Sequence, residues 1–182
     1  MMVEGLLSED ELDQLKIELG RSDYIPLPLG DGVIMSVCAL SQTAKTFIAD
    51  AVEKAWGKPL SIVEMFCRYN SPDLDTSFRI HSDGLIQGIE PDVASVLYLT
   101  TGQTGTALFE HPEHGTEGRG MIFREDDGLW KMTEFSPEVA NNAVIYNANR
   151  FHSRWPPKAS SHRFVIVGFY QEVKDALDGK AY

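Results

Sequence analysis

His81 and Asp83 stand two residues apart in RIHSDG, residues 79–84. Side chains two apart on a β-strand point to the same face. A strand over TSFRIHSD (76–83) therefore aims Arg79, His81 and Asp83 one way, and Phe78 and Ile80 the other. An imidazole and a carboxylate on one face can hold a metal ion. A third ligand must come from a distant strand. His152 fits best: it lies in NRFHSRWPP, just after the apolar run AVIY, at the mouth end of an expected strand. Two imidazole nitrogens and one carboxylate oxygen on one side of a metal suit Fe(II) and leave positions open for a bidentate small ligand and O2. Alone, the His-x-Asp pair is weak, and an Asp83 that only caps the turn at Asp83-Gly84 explains it better.

Other residues strengthen the metal assignment. Arg163 follows His152 by eleven residues and opens the strand RFVIVGFY. A guanidinium there can grip a carboxylate through paired hydrogen bonds. Tyr69, at the end of the strand before RIHSD, can add a hydroxyl donor, or can equally be a core tyrosine. From Val139 to Gln171 there is no Asp or Glu, while Arg150, Arg154, Lys158 and Arg163 accumulate beside His152 and His162. A basic pocket in an acidic protein suits a small anionic ligand, and equally these cations can balance acids that lie nearby only in the fold. His111 and His114 read as loop histidines, because neither HExxH nor CxxC accompanies them.

These side chains need a scaffold. The 182 residues suit one domain, 1–182, with a helical part over 1–58 and a β core over 60–173. Ser8 with Glu11 forms a capping box ahead of Leu12, Leu15 and Leu19, and Gly20 ends that helix. Ser41 caps a second, whose Ala44, Phe47, Ile48, Ala51, Val52 and Ala55 keep helical spacing up to Gly57. After Pro59 come eight short runs rich in β-branched and aromatic residues: SIVEMFCRY, TSFRIHSD, ASVLYLT, TALFEH, GMIFRE, LWKMTEF, NAVIYNA and RFVIVGFYQEV. The expected fold is mainly β with flanking N-terminal helices, built on a double-sheet jelly roll.

Net charge is −11, which argues against nucleic-acid binding through a broad basic surface. No apolar run reaches the length of a membrane span, and the acidic start MMVEGLLSEDEL lacks signal-peptide character, so a cytoplasmic location is expected. Cys38 and Cys67 are expected to be buried small hydrophobes.

Four blocks, in order, resemble the 2-oxoglutarate and Fe(II)-dependent oxygenases, especially their prolyl-4-hydroxylase-like branch: CRYNSPDLDTSFRIHSDG, VLYLTTGQTGTALFEH, NNAVIYNANRFHSRWPP and SSHRFVIVGFY. They span roughly residues 60–171. The resemblance implies a double-stranded β-helix, cupin-like core with His81, Asp83 and His152 as iron ligands. It also implies that Arg163 holds the C5 carboxylate of 2-oxoglutarate, with Tyr69 assisting, and that Arg154 and Trp155 stand at the substrate mouth. The implied reaction consumes O2, releases succinate and CO2, and hydroxylates an unactivated C–H bond of a peptidyl residue or small metabolite. The chain departs from the branch at Arg163, where a lysine is usual, and in the longer stretch between Tyr69 and His81. It has Val165 where many other branches carry serine, and Thr104-Gly105 where a glycine pair is usual. Two alternatives stay open at this level: a cupin-type metal enzyme that does not use 2-oxoglutarate, and a non-catalytic jelly-roll binding module.

Overall fold

A computed structural model describes residues 1–28, 34–72, 79–157 and 161–173. Phe78 and Lys158, both singled out above, lie outside the described residues.

The two helices, α1 (Glu9–Leu19) and α2 (Gln42–Trp56), form where caps and apolar spacing place them. The Ser8 N–H donates to the Glu11 carboxylate at 2.9 Å while the Ser8 hydroxyl accepts from the Glu11 N–H, which closes the capping box. Ser41 Oγ accepts from the Ala44 N–H at 3.1 Å. α2 stops at Gly57, whose φ of 82° is a left-handed turn that glycine adopts without a Cβ clash.

The strands make two sheets. The larger contains β1 (Met2–Val3), β2 (Ile25–Pro28), β3 (Ile34–Ala39), β4 (Leu60–Asn70), β6 (Val93–Tyr98), β10 (Ala143–Asn147) and β12 (Arg163–Glu172). Its order is β1-β10-β6-β12-β4-β3-β2. The smaller contains β5 (Ile80–His81), β7 (Gly105–Glu110), β8 (Ile122–Phe123), β9 (Lys131–Pro137) and β11 (His152–Trp155), in the order β8-β5-β11-β7-β9. Every described pairing is antiparallel. The result is the expected double-stranded β-helix with N-terminal helices.

Alternation along the central strands builds two apolar layers. Leu97 and Ile166 face outward under Leu15, Ile48 and Val52 of the helices. Val96, Tyr98 and Val165 face inward, toward Leu108 of the smaller sheet. A third cluster covers the outer face of the smaller sheet, where Ile80, Phe109 and Phe151 pack under Trp130 and Phe123. Cys38 and Cys67 are buried free thiols directly opposite one another across β3 and β4, and burial pushes the Cys67 thiol up to about 12.

All eight predicted strands are present, with two corrections. Of the strand expected over TSFRIHSD, residues 76–78 lie outside the described residues, and over 79–83 only Ile80–His81 are strand, so Asp83 is not a strand residue. β1, β2, β3 and β11 were not predicted. β11, with the sequence HSRW, is extended because β7 and β5 flank it on both sides, not because of its own propensity.

Candidate metal centre

Sheet register brings the two histidines together. β5 runs antiparallel to β11 with His81 and His152 as direct cross-strand partners. Their ring centroids are 4.2 Å apart. Immediately after β5 the chain is pinned at successive residues. The Ser82 N–H donates to Met121 O at 3.0 Å, the Asp83 N–H donates to Ala148 O at 3.0 Å, and Asp83 O accepts from the Gly120 N–H at 3.1 Å. Gly84 crosses Gly120 so closely that a Cβ on Gly84 would lie 3.1 Å from the Gly120 Cα. These contacts, rather than strand alternation, turn the Asp83 carboxylate back toward the histidines.

Asp83 Oδ1 lies 4.0 Å from His81 Nε2 and 3.8 Å from His152 Nε2. These spans are too long for hydrogen bonds. Each of the three residues nevertheless offers a ligand atom, and those atoms all lie within 4.8 Å of one another. Asp83 Oδ2 is buried without a hydrogen-bond partner. A buried carboxylate oxygen in that state is costly unless a cation meets it. The His152 ring is held by Nδ1, which donates to Arg150 O at 2.9 Å and leaves Nε2 with its lone pair toward the cluster. Burial holds His81 well below its ordinary 6.5, with His152, Arg79 and Arg68 adding to the effect, so the imidazole is neutral. Burial also raises the Asp83 carboxyl, against the opposing pull of His152 and Arg79. Two imidazoles and one carboxylate, with a buried carboxylate oxygen that lacks a hydrogen-bond partner, fit a metal ion.

The cluster opens onto a cavity of about 500 Å³ between the sheets. Arg163 and Arg68 line it from the larger sheet, His152 and Arg154 from the smaller, and Arg79 borders it just ahead of β5. Arg163 is 4% exposed, and its Cζ lies 5.5 Å from the Tyr98 ring centroid. Its Nε is 3.9 Å from Glu138 Oε2, behind the cavity wall. Glu138 is fully buried and accepts hydrogen bonds from the hydroxyls of Thr100, at 2.6 Å, and Thr104. No hydrogen bond among the described residues ties the terminal amines of Arg163.

The other predicted site residues separate. Arg154 lines the cavity, and its guanidinium donates to Pro157 O. Trp155, one residue on, packs against Phe109 at 5.5 Å on the outer face of the smaller sheet. Tyr69 alternates with Arg68 on β4 and turns from the cavity. Its hydroxyl lies 2.6 Å from His162 Nδ1 and its ring packs on Phe164. The expected mouth position of Trp155 and cosubstrate position of Tyr69 are therefore not where strand alternation puts these side chains. His111 is buried with Nε2 3.0 Å from Asp127 Oδ2 and Nδ1 accepting from the Glu113 N–H at 3.1 Å, as a structural histidine requires.

Sequence reasoning assigned no role to Arg68, Tyr146 or Glu138. Arg68 was readable, because it shares a strand face with Phe66 and stands opposite Val165. Tyr146, whose ring centroid lies 4.8 Å from that of His152 at a tilt of 52°, reads in the sequence as one more apolar residue of AVIY. Glu138 had no local signal, since its partners are 25 to 38 residues away.

No protein-family model matches the sequence, and no curated protein matches it. Solved structures do match by fold. The α-ketoglutarate-dependent carbocyclase SnoK from nogalamycin biosynthesis superposes with a TM-score of 0.69 at 13% identity, over 98% of this chain and 83% of its own. The epimerase SnoN from the same biosynthesis gives 0.62 at 16%, over 94% and 78%. A Pseudomonas putida prolyl-4-hydroxylase gives 0.55 at 14%, over 96% and 92%. At these identities the likeness is one of fold: the chain is a double-stranded β-helix carrying a two-histidine, one-aspartate site. The prolyl-4-hydroxylase-like branch is not singled out among the matches.

Proposed function

We propose that this protein is an Fe(II)- and 2-oxoglutarate-dependent oxygenase that oxidises an unactivated C–H bond. The observation that carries the reading is the convergence of His81, Asp83 and His152 on one cavity that Arg163 also enters, from the opposite sheet. Bound Fe(II) would supply the activation of O2 that couples decarboxylation of 2-oxoglutarate to substrate oxidation.

The chain's own residues do the rest. His81 and His152 offer imidazole nitrogens and Asp83 a carboxylate oxygen, all from one side, which leaves the cavity side open. Arg163 receives the distal carboxylate of the cosubstrate through its terminal amines, while Glu138 orients the guanidinium from behind. Val165, Val167 and Phe169 wall the site with apolar surface and keep water from the reacting atoms. The three solved relatives include a carbocyclase, an epimerase and a hydroxylase, so hydroxylation is the simplest outcome on this scaffold rather than the one required.

Anaerobic titration of the metal-free protein with Fe(II), followed by 2-oxoglutarate, tests the reading. A visible charge-transfer band that needs both components is expected, with succinate released on exposure to O2. Bound iron without a band would exclude 2-oxoglutarate as the chelating ligand.

A further inference from the structure

Five tyrosines fall among the described residues, and four of their hydroxyls have a protein partner. Tyr24 meets Cys67 Sγ at 3.6 Å and Tyr69 meets His162 Nδ1 at 2.6 Å. Tyr98 donates to Thr106 Oγ1 at 2.8 Å, and Tyr170 meets Ser95 Oγ at 3.1 Å. Tyr146 is the exception. It is 5% exposed and lines the cavity, yet no hydrogen bond reaches its hydroxyl among the described residues. Burying a hydroxyl without a partner is costly, and buried tyrosines ordinarily find one. Phenylalanine would pack against His152 just as well, so the oxygen is what needs a reason.

Tyr146 faces inward from β10, opposite the small Ala94 of β6. Its ring centroid is 4.8 Å from that of His152, which puts it at the metal end of the cavity. Burial, then Asp83 and Tyr98, raise the phenol well above its ordinary value against the weaker opposing pull of Arg163 and Arg68, so the hydroxyl keeps its proton and donates. The charges of Asp83 and Arg163 are thus both felt at this one hydroxyl. Tyr98, whose ring lies 5.5 Å from the Arg163 Cζ, is committed elsewhere, since its hydroxyl donates to Thr106 and to Ser136 O at 3.0 Å.

We infer that Tyr146 binds the cosubstrate: its hydroxyl donates a hydrogen bond to the metal-chelating carboxylate of the keto acid, the end remote from Arg163. This inference rests on the proposed oxygenase function for the presence of that carboxylate. A neutral donor in a site walled by apolar residues gains most from an ionised acceptor. Tyr146 and Arg163 then hold the two ends of one ligand, the first by a single uncharged donor and the second by a charged fork.

The test compares Tyr146→Phe with the unaltered chain, under argon, loaded with Fe(II), with the charge-transfer band read against added keto acid. Two acids are used: 2-oxoglutarate, and 2-oxopentanoate, which has a methyl group in place of the distal carboxylate. Where the second gives a weak band, its affinity is read by competition with the first. Tyr146→Phe should weaken both acids by the same factor, about 10-fold, the worth of one hydrogen bond to a charged group. Arg163→Ala should weaken 2-oxoglutarate and leave 2-oxopentanoate nearly as it was. Fe(II) affinity of Tyr146→Phe should be unchanged, and its thermal midpoint without metal should hold or rise, because no protein hydrogen bond is lost. Unchanged affinity for both acids means that the hydroxyl meets only water, and overturns the inference. A loss confined to 2-oxoglutarate also overturns it, by placing the hydroxyl at the distal carboxylate. So does a lowered midpoint with weakened Fe(II) binding, which assigns Tyr146 to the support of His152. Failure of the oxygenase function looks different: no band with 2-oxoglutarate in the unaltered protein overturns both, whereas a band that ignores Tyr146→Phe overturns this inference alone.

Discussion

Two histidine pairs sit on the smaller sheet and its loops, and they are alike at first sight. His81 and His152 have ring centroids 4.2 Å apart, and His111 and His114 have them 4.6 Å apart. Each pair has an aspartate at hand. The difference lies in what the polar atoms are doing. His111 uses both ring nitrogens, toward Asp127 at 3.0 Å and the Glu113 N–H at 3.1 Å, and Trp130 covers its face. In the other pair the aspartate stands 3.8 to 4.0 Å from the rings and one of its oxygens is buried with no partner. A structural cluster closes its hydrogen bonds, whereas a ligand set keeps its lone pairs aimed at a shared point.

The sharpest break of this comparison is Asp83→Ala set against Asp127→Ala. The first should abolish metal-dependent turnover and cost more metal affinity than the roughly 10–100-fold that follows loss of a supporting partner. The second should leave metal affinity unchanged. Equal effects in a metal titration would erase the distinction drawn here.

Next in size is Arg163→Ala. Loss of its charge-assisted hydrogen bonds, at about 1.5–3 kcal/mol, should raise the 2-oxoglutarate concentration needed for half-maximal activity by roughly 10–100-fold, with iron affinity retained. Glu138→Gln acts on the same cosubstrate at one remove. It should raise that concentration by a smaller factor and leave kcat nearly constant, and it should also lower stability by about 3–5 kcal/mol, because Arg163 loses a buried partner. His111→Ala should destabilise the fold by about 1–3 kcal/mol in denaturant titration while metal binding stays intact.

The smallest effect is on pH dependence. His81 has its folded-state value depressed below 6.5, so the unfolded chain takes up a proton that the buried ring refuses. The stability this group contributes is whole above about 6.5 and is lost as pH falls toward the depressed folded value, by at most about 1.4 kcal/mol per pH unit. Denaturant titrations of metal-free protein at neutral and mildly acidic pH should show the loss, and His81→Asn should remove part of it.

The sequence carried the elements further than it carried the site's surroundings. Capping residues and period-2 apolar runs are local, so Ser8, Ser41, Gly57 and the eight strand segments could be read directly. His81, Asp83 and His152 were found from residue type and order, but the strand said to align the first two is only two residues long. Asp83 is aimed by Met121, Ala148 and Gly120, contacts that no window of sequence contains. Tyr69 and Arg68 show the cost of a one-residue step: alternation sends one to the cavity and its neighbour away, and only register against β12 fixes which. Glu138 was invisible because its meaning lies wholly in Arg163.

The contrast between exterior and cavity bears on how fast a ligand arrives. A chain of net charge −11 surrounds a pocket whose lining, among the described residues, includes four arginines. An approaching anion is repelled at distance and attracted only near the mouth. The Debye length is about 10 Å at 0.1 M salt, so added salt screens the outer repulsion before it weakens contacts inside. Association of small anions should therefore quicken over the first increments of ionic strength, the reverse of the steering that a basic exterior provides. Stopped-flow traces across a salt series would display that inversion.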